Sequence, residues 1–178
     1  GGNSVYFLDQ NTGWVVGYGR GKIIKTTDGG AHWYSQTSNV TEYLNSVHFI
    51  DHNNGWIVGG GVILNTTNGG ENWSSQISMG NLLGSVFFTD SNNGWAVGSG
   101  EYDLGIILHT SDGGTSWDYQ ADRISVPLQS VYFANQNTGW VVGGNQLLKT
   151  TNGGDNWKFL SRNVTNADLW DVFFTDEQ

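Results

Sequence analysis

Cysteine is absent from this sequence, proline occurs once, and lysine and arginine together number 7 against 16 acidic residues. Without cysteine there are no disulfide staples and no thiolate metal sites, which fits a cytosolic protein or a bacterial exported one. A net charge of −9 leaves no basic surface to attract nucleic acid or an anionic membrane, so neither is expected as a partner. No apolar run approaches the ~18 residues of a membrane span, and membrane insertion is not expected. No charged-then-apolar leader stands at the start, so any leader is expected to have been removed. No window carries the 3.6-residue apolar period of a long helix. What is plentiful is glycine, at 27 residues, and tryptophan, at 9, enough for an aromatic core.

The tryptophans fall in a repeat, the first thing to look for in any chain. One phrase occurs as SVYFLDQNTGW (4–14), SVHFIDHNNGW (46–56), SVFFTDSNNGW (85–95) and SVYFANQNTGW (130–140). Its closing tryptophans, Trp14, Trp56, Trp95 and Trp140, are spaced by 42, 39 and 45 residues. A fifth copy, DVFFTDEQ (171–178), opens and stops before its GW. Each unit reads strand, turn, strand, loop, strand, turn, strand. In the first, Val5–Leu8, Trp14–Val16, Ile23-Ile24 and a segment from Trp33 are the strands, separated by Asn11-Thr12-Gly13 and Asp28-Gly29-Gly30 turn chemistry. SVYF and GWVV are apolar at consecutive positions, so burial on both faces is expected. Four strands per ~40–45 residues spell an all-β propeller of antiparallel blades. The expected blades are 1–42, 43–81, 82–126 and 127–168, with 169–178 the first strand of a fifth, as a piece of a larger ring.

A second phrase closes each unit: TTDGGAHW (26–33), TTNGGENW (66–73), TSDGGTSW (110–117) and TTNGGDNW (150–157). One reaction needs one constellation, whereas blade closure needs a copy per blade, so the phrase reads as architecture. Asp28, Asn68, Asp112 and Asn152 can accept hydrogen bonds from their own turn. The paired glycines, including Gly30, Gly70, Gly114 and Gly154, supply positive φ. Trp33, Trp73, Trp117 and Trp157 then lay an apolar plate beneath, each worth ~150–250 Å² of buried surface. Asn in place of Asp at two copies suits a turn acceptor and suits a metal or catalytic role poorly. At these residues the chain resembles the Asp-box, or bacterial neuraminidase repeat, with the pattern Ser/Thr-x-Asp-x-Gly-x-x-Trp. Paired with SVYF…NxGW, it resembles the photosystem II assembly and stability factor-like propellers over essentially its whole length. That resemblance implies a propeller, usually seven-bladed, with a binding or scaffolding role, no catalysis and no cofactor. The present chain is short for seven blades, and has only Arg20, Arg123 and Arg162 as arginines.

Other propellers of this repeat type are enzymes. A sialidase-like site needs clustered arginines, a tyrosine nucleophile and an acid, but the three arginines stand in different loops and Tyr18, Tyr43 and Tyr102 are not singled out by any pattern. A xyloglucanase-like site needs opposed carboxylates between two propellers, more than this chain contains. The histidines His32, His48, His52 and His109 are scattered, so no metal site is expected. GYGRGK (17–22) joins strand to strand and is no phosphate loop.

If the function is binding, the segments where the repeats differ are the place for it. The loops between second and third strands and the links between blades share one face of a propeller, and the Asp boxes lie on the other. On the first face stand Arg20, Glu42, Tyr43, Glu101, Tyr102, Asp103, Asp122, Arg123, Arg162 and Asp168, drawn from GYGRGK, GSGEYDLG (98–105) and the links 36–44, 76–83, 120–128 and 160–169. This acidic, tyrosine-bearing set fits a protein or glycan partner. Sequons at Asn39, Asn65 and Asn163 are candidate glycosylation sites, whereas the one at Asn72 sits inside a box and is discounted. The composition matches an extracellular or cell-surface protein, bacterial by its cysteine-free character. Blades that cannot stack on both sides expose apolar faces, which leaves a longer chain, self-association into rings or filaments, or closure of four blades by Phe173-Phe174 joining the first.

Overall fold

The computed structural model describes residues 1–17, 19–162 and 167–174, with the side chains of Ser78, Met79, Ser161 and Arg162 undescribed. The chain is all-β, built of antiparallel four-stranded blades of the propeller type, and divides into two compact units, Gly1–Leu83 and Gly84–Gln178.

In the first unit, β1 (Gly2–Phe7), β2 (Gly13–Gly17), β3 (Ile23–Thr26) and β4 (Tyr34–Gln36) pair in sequence order. Register runs Tyr6↔Trp14, Trp14↔Lys25 and Lys25↔Tyr34. The second blade uses β5 (Leu44–Phe49), β6 (Gly55–Thr66) and the first leg of β7 (Ser74–Phe88). β6 supplies two of its strands, because the chain doubles back at Gly61, whose φ is 85°. Ten residues of extended chain would span roughly 33 Å, yet the Asn65 side-chain amide donates to the Gly55 carbonyl at 3.2 Å. In the second unit the rest of β7, β8 (Gly94–Ser99), β9 (Gly105–Thr110) and β10 (Asp118–Ile124) make one blade. β11 (Ser130–Phe133), β12 (Gly139–Gly143), β13 (Gln146–Thr150) and β14 (Lys158–Arg162) make the next.

Each unit's core is the seam between its two blades. In the first, Trp14, Val16 and Ile23 from one blade meet Leu44, Val47, Phe49, Ile57 and Leu64 from the next. In the second, Trp95, Val97 and Ile107 meet Val131, Phe133, Val141 and Leu148, with Leu128 of the link packed among them. The blade contributing the tryptophan presents what is here termed its trailing face, and the blade contributing the phenylalanine its leading face. Trp14 stacks on Phe49 at 3.5 Å between centroids, and Trp95 on Phe133 at 3.6 Å. Such a pair is worth about 0.5–1.5 kcal/mol beyond the area it buries. Close backbone contact flanks each stack: the Val47 amide donates to Ser4 Oγ and the Val131 amide to Ser85 Oγ.

A latch joins each seam at its outer rim. Gln36 Nε2 donates to the Gly69 carbonyl at 3.0 Å while its Oε1 accepts from Trp73 Nε1 at 3.4 Å. Gln120 does the same with the Gly153 carbonyl and Trp157 Nε1, at 2.8 and 3.4 Å. In the first unit Lys25 Nζ adds a second donor to Gly69, 3.0 Å away, while lying 5.0 Å from the centre of the Trp14 ring. The corresponding position of the fourth blade is Leu160, and it is exposed.

Three expectations need correction. β1 is not covered on both faces: Val5 is 61% and Phe7 43% exposed, although the same positions of the second blade, Val47 and Phe49, are buried against the first. The segment 76–83 is not a loop but lies wholly within β7, and β10 runs on to Ile124, so Asp122 and Arg123 are strand residues. The reason is continued pairing through bulges, Gly60↔Leu82 and Val62↔Ser78 for β7 and Ile124↔Gly105 for β10. Phe174 stacks on Trp140 at 4.1 Å, and Ser130 Oγ accepts from the Val172 amide at 3.3 Å, as Ser4 Oγ does from Val47.

Candidate functional site

The two ends of a blade are built differently. At one end sits the box turn. Thr26 Oγ1 accepts from the Asp28 and Gly30 amides at 3.3 and 2.9 Å and donates to Asp28 Oδ1, which in turn accepts from the His32 amide at 2.9 Å. Thr66–Asn68–Asn72, Thr110–Asp112–Ser116 and Thr150–Asn152–Asn156 repeat this wiring. The hydroxyl that does it belongs to the first residue of the box, never to its neighbour at 27, 67, 111 or 151. The glycine pairs have φ between 67° and 94°. Gly70 and Gly154 are constrained a second time, because a Cβ there would run into Gln36 or Gln120. The whole turn hangs on the neighbouring hairpin through Gly29 N to Asn11 O, and Gly69, Gly113 and Gly153 to Asn53, Asn92 and Asn137. Of the box tryptophans, Trp73 and Trp117 are buried and Trp33 and Trp157 half-buried.

Hydrogen bonds from the His32 amide, its ring and Thr26 hold Asp28 down at about 2, and those from the Ser116 amide, its hydroxyl and Thr110 do the same for Asp112. These carboxylates are saturated with local donors. That wiring, present also around Asn68 and Asn152, is what a turn needs. Among the described residues no group of three or more His, Asp or Glu could hold a metal ion.

The other end carries the variable loops. In the first unit the blade link is held from two sides, Gly21 N of the β2–β3 loop donating to Glu42 O at 2.9 Å and Gly60 N of β6 to Tyr43 O at 2.8 Å. This brings Arg20, Glu42 and Tyr43 together around a shallow cleft of about 460 Å³, shared with Thr41 and Gly60. A second hollow of about 450 Å³ opens on the other side of Arg20, toward Lys22 and Asn39. Arg20 and Tyr43 are exposed, and Tyr43 offers 56% of its surface. Neither Arg20 nor Lys22 has an acidic partner within ion-pair distance among the described residues.

In the second unit Glu101, Tyr102 and Asp103 form a single 3-10 turn between β8 and β9, with Tyr102 90% exposed. Tyr102 and Asp103 both have left-handed φ, 58° and 62°. Arg123, also left-handed at 55°, adjoins the Ile124↔Gly105 pairing at the same end of the sheet. Asp168 is exposed beside Leu169, whose amide donates to Gly144 O. The structure thus gathers Arg20, Glu42 and Tyr43 in one unit and Glu101 to Asp103 with Asp122 and Arg123 in the other. Arg162 is described by its backbone alone, and Tyr18 and Asn163 lie outside the described residues. Lys22 and Asn39, beside Arg20, were not in the binding set that the sequence marked out; the two-residue spacing of Arg20 and Lys22 was the signal available. Asn39 is exposed as a modified residue must be, whereas Asn65 is half-buried with its amide engaged by Gly55 and Thr66 carbonyls, which argues against a glycan there.

Comparison with known proteins agrees with this geometry. The family model described as photosynthesis system II assembly factor YCF48 matches residues 3–85 and 75–166. No curated protein sequence matches the chain significantly. Among solved structures, "YCF48 bound to D1 peptide" is similar with a TM-score of 0.58 and 17% identity, over 98% of this chain and 87% of that one. YCF48 from Cyanidioschyzon merolae is similar at 0.69 and 22%, over 97% of this chain and 60% of that one. An ancestral GH74 enzyme is similar at 0.70 and 21%, over 88% of this chain but only 23% of its own. At these identities the solved structures show a shared fold. The two segments matched by the family model take in nearly the whole sequence, and the chain belongs to the photosynthesis system II assembly factor YCF48 family.

Proposed function

We propose that the chain is a non-enzymatic interaction module that binds an extended protein segment through its loop face. The observation that carries this is the cleft at Arg20, Glu42 and Tyr43, where a cation with no ion-pair partner among the described residues stands between two hollows with an exposed tyrosine at the rim. A guanidinium grips a carboxylate in a two-pronged way, and a tyrosine ring offers apolar area with little entropy to lose. The opposite face, by contrast, has its polar groups engaged within the box turns. A relative of the same family has been captured with a peptide from D1, which supports a peptide as the class of ligand. Tyr102, at the tip of its turn, is the second anchor in this reading. Export to a cell surface is part of the same proposal, supported by the acidic, cysteine-free composition.

The test is binding of the chain to an immobilised peptide array and, in parallel, to a glycan array. Peptide binding that falls roughly tenfold or more in Arg20→Ala/Tyr43→Ala, with thermal stability unchanged, is the expected result. Sugar binding that depends on the same residues would move the reading to a glycan partner. Turnover of any glycoside by the parent chain, lost on changing Glu42 or Glu101 to Gln, would overturn it in favour of an enzyme.

A further inference from the structure

Four asparagines in this chain precede a glycine: Asn54, Asn68, Asn93 and Asn152. An Asn-Gly bond is chemically labile, because glycine has no side chain to shield its amide nitrogen from the asparagine carboxamide. The fold uses the four in two ways. Asn54 and Asn93 end hairpin turns and act as donors, Asn54 Nδ2 to Asp51 at 2.8 Å and Asn93 Nδ2 to the two Asp90 oxygens at 3.1 and 3.0 Å. Asn68 and Asn152 hold the third position of their boxes, where the side chain is an acceptor.

In the boxes the backbone dictates the glycine. Gly69 and Gly153 both have a φ of 67°, and a Cβ on Gly69 would lie 2.6 Å from the His52 carbonyl oxygen. An asparagine at position 68 is therefore followed by glycine, and the labile pair is a consequence of the turn. The closed turn also restrains that pair. The Gly69 and Gly153 amides donate to Asn53 O and Asn137 O, both at 2.9 Å. Asn68 Oδ1 accepts from the Thr66 hydroxyl at 2.9 Å and the Asn72 amide at 3.0 Å, and Asn152 Oδ1 from Thr150 and the Asn156 amide at 2.9 and 3.1 Å. Both reacting groups are thus tied to partners other than each other. The boxes of Asp28 and Asp112 show that a carboxylate fits the same place, since each takes the same two donors.

We propose that Asn68 and Asn152 are sites of spontaneous deamidation, released when their box turn opens, and that the turn re-forms around the aspartate product. In the open turn the glycine amide nitrogen bonds to the asparagine Cγ, its proton passes to the departing nitrogen, and ammonia leaves. Water then opens the five-membered imide. Breaking the new Cγ–N bond gives aspartate, whose Oδ1 recovers the threonine hydroxyl and the amide four residues on. Breaking the original peptide bond instead gives isoaspartate, which carries the main chain through Cβ and leaves the turn open. Each event adds one negative charge to the chain. The same reaction at Asn54 or Asn93 would set a carboxylate against Asp51 or Asp90 and remove the donor between them. None of this depends on the peptide-binding reading.

The experiment is peptide mapping by mass spectrometry of the full chain, held at mildly alkaline pH in oxygen-18 water, folded and in urea. The folded parent should take up label at 68 and 152, but roughly tenfold or more slowly than the unfolded chain, because local opening limits the reaction. Thr66→Val removes the hydroxyl that holds Asn68 Oδ1 and should raise the rate at 68 several-fold while leaving 152 unchanged; Thr150→Val should do the reverse. Asn68→Asp, which installs the product, should melt close to the parent, whereas Asn93→Asp should melt lower. A folded parent that takes up no label at either site, or labels as fast as the unfolded chain, would overturn the proposal. So would a folded Thr66→Val protein no faster at 68 than the parent, or an Asn68→Asp protein that does not fold. Should neither threonine variant fold, the comparison of folded and unfolded parent decides.

Discussion

His48 offers the sharpest test of how the inner strands are packed. It sits on β5, its ring edge-on to Tyr6 at 5.1 Å, at the repeat position held elsewhere by Tyr6, Phe87, Tyr132 and Phe173. Burial pushes its pKa down from 6.5 to about 4. The folded state thus holds His48 neutral, while the unfolded chain takes up a proton below pH ~6.5. Stability that is present above the unfolded value is lost as pH falls toward the folded one. Applied to these two values, linkage gives a loss of roughly 2 kcal/mol between pH 7 and pH 5. The ring is only half-buried by exposed surface, which lowers the expectation to about 1–2 kcal/mol, or about 2–8 °C in Tm for a chain of this length. His109, also lowered by burial, contributes in the same direction, with Asp118 and Asp155 opposing the shift. The perturbation is His48→Phe, which places at this site the residue its repeats already carry. Urea unfolding at pH 7 and pH 5 should show the parent losing about 1–2 kcal/mol more than the variant. Equal losses in the two proteins would refute the assignment of His48 as a neutral packed ring.

Gly70→Ala should destabilise by about 1–3 kcal/mol, since it meets both a left-handed φ and the Gln36 side chain, whereas Gly30→Ala, with only the Trp33 ring in reach, should cost less. Thermal unfolding of the pair checks the difference, and equal costs would mean the latch does not press on the turn. Gln120→Leu removes the donor to Gly153 and the acceptor for the Trp95 and Trp157 indoles, and should cost about 1–3 kcal/mol. The same measurement decides it, a neutral effect counting against the latch. Asp28→Asn should leave stability at neutral pH nearly unchanged, because Asn68 and Asn152 fill the same role, while Asp28→Ala should lower Tm through loss of the acceptor for the His32 amide. A large drop with Asn would mean the charge itself matters.

The repeat made much of this readable in advance. SVYF and GW fall on strands and the boxes on the turns between strands, as their spacing requires, and the box chemistry is a local matter of hydroxyl, carboxylate or carboxamide, and glycine. What sequence reasoning missed depends on neighbours. Whether 76–83 is a loop or a strand was settled by bulged pairing to β6, which no local propensity encodes. Gln36 and Gln120 stand at one register of the first and third repeats, three residues after the box tryptophan, where the sequence shows only the first letter of a link. Their meaning as latches appears only when the next blade's glycine carbonyl is in place. The cleft at Arg20 likewise joins residues more than twenty positions apart, which the loops had assigned to one face without saying which of them touch.

The boxes also alternate in chemical kind. Each unit holds one aspartate turn followed by one asparagine turn, Asp28 then Asn68 and Asp112 then Asn152. Only the aspartates can lose their charge, and with pKa values near 2 against an unfolded value of 3.8 they hold it until strong acid, losing their contribution as pH falls between those values. The asparagine turns have nothing to titrate. Strong acid should therefore loosen this protein in a checker pattern, the first blade of each unit giving way at its outer turn while the second keeps its turn intact. Neighbouring boxes within a unit are also spared the repulsion that four carboxylates in succession would bring.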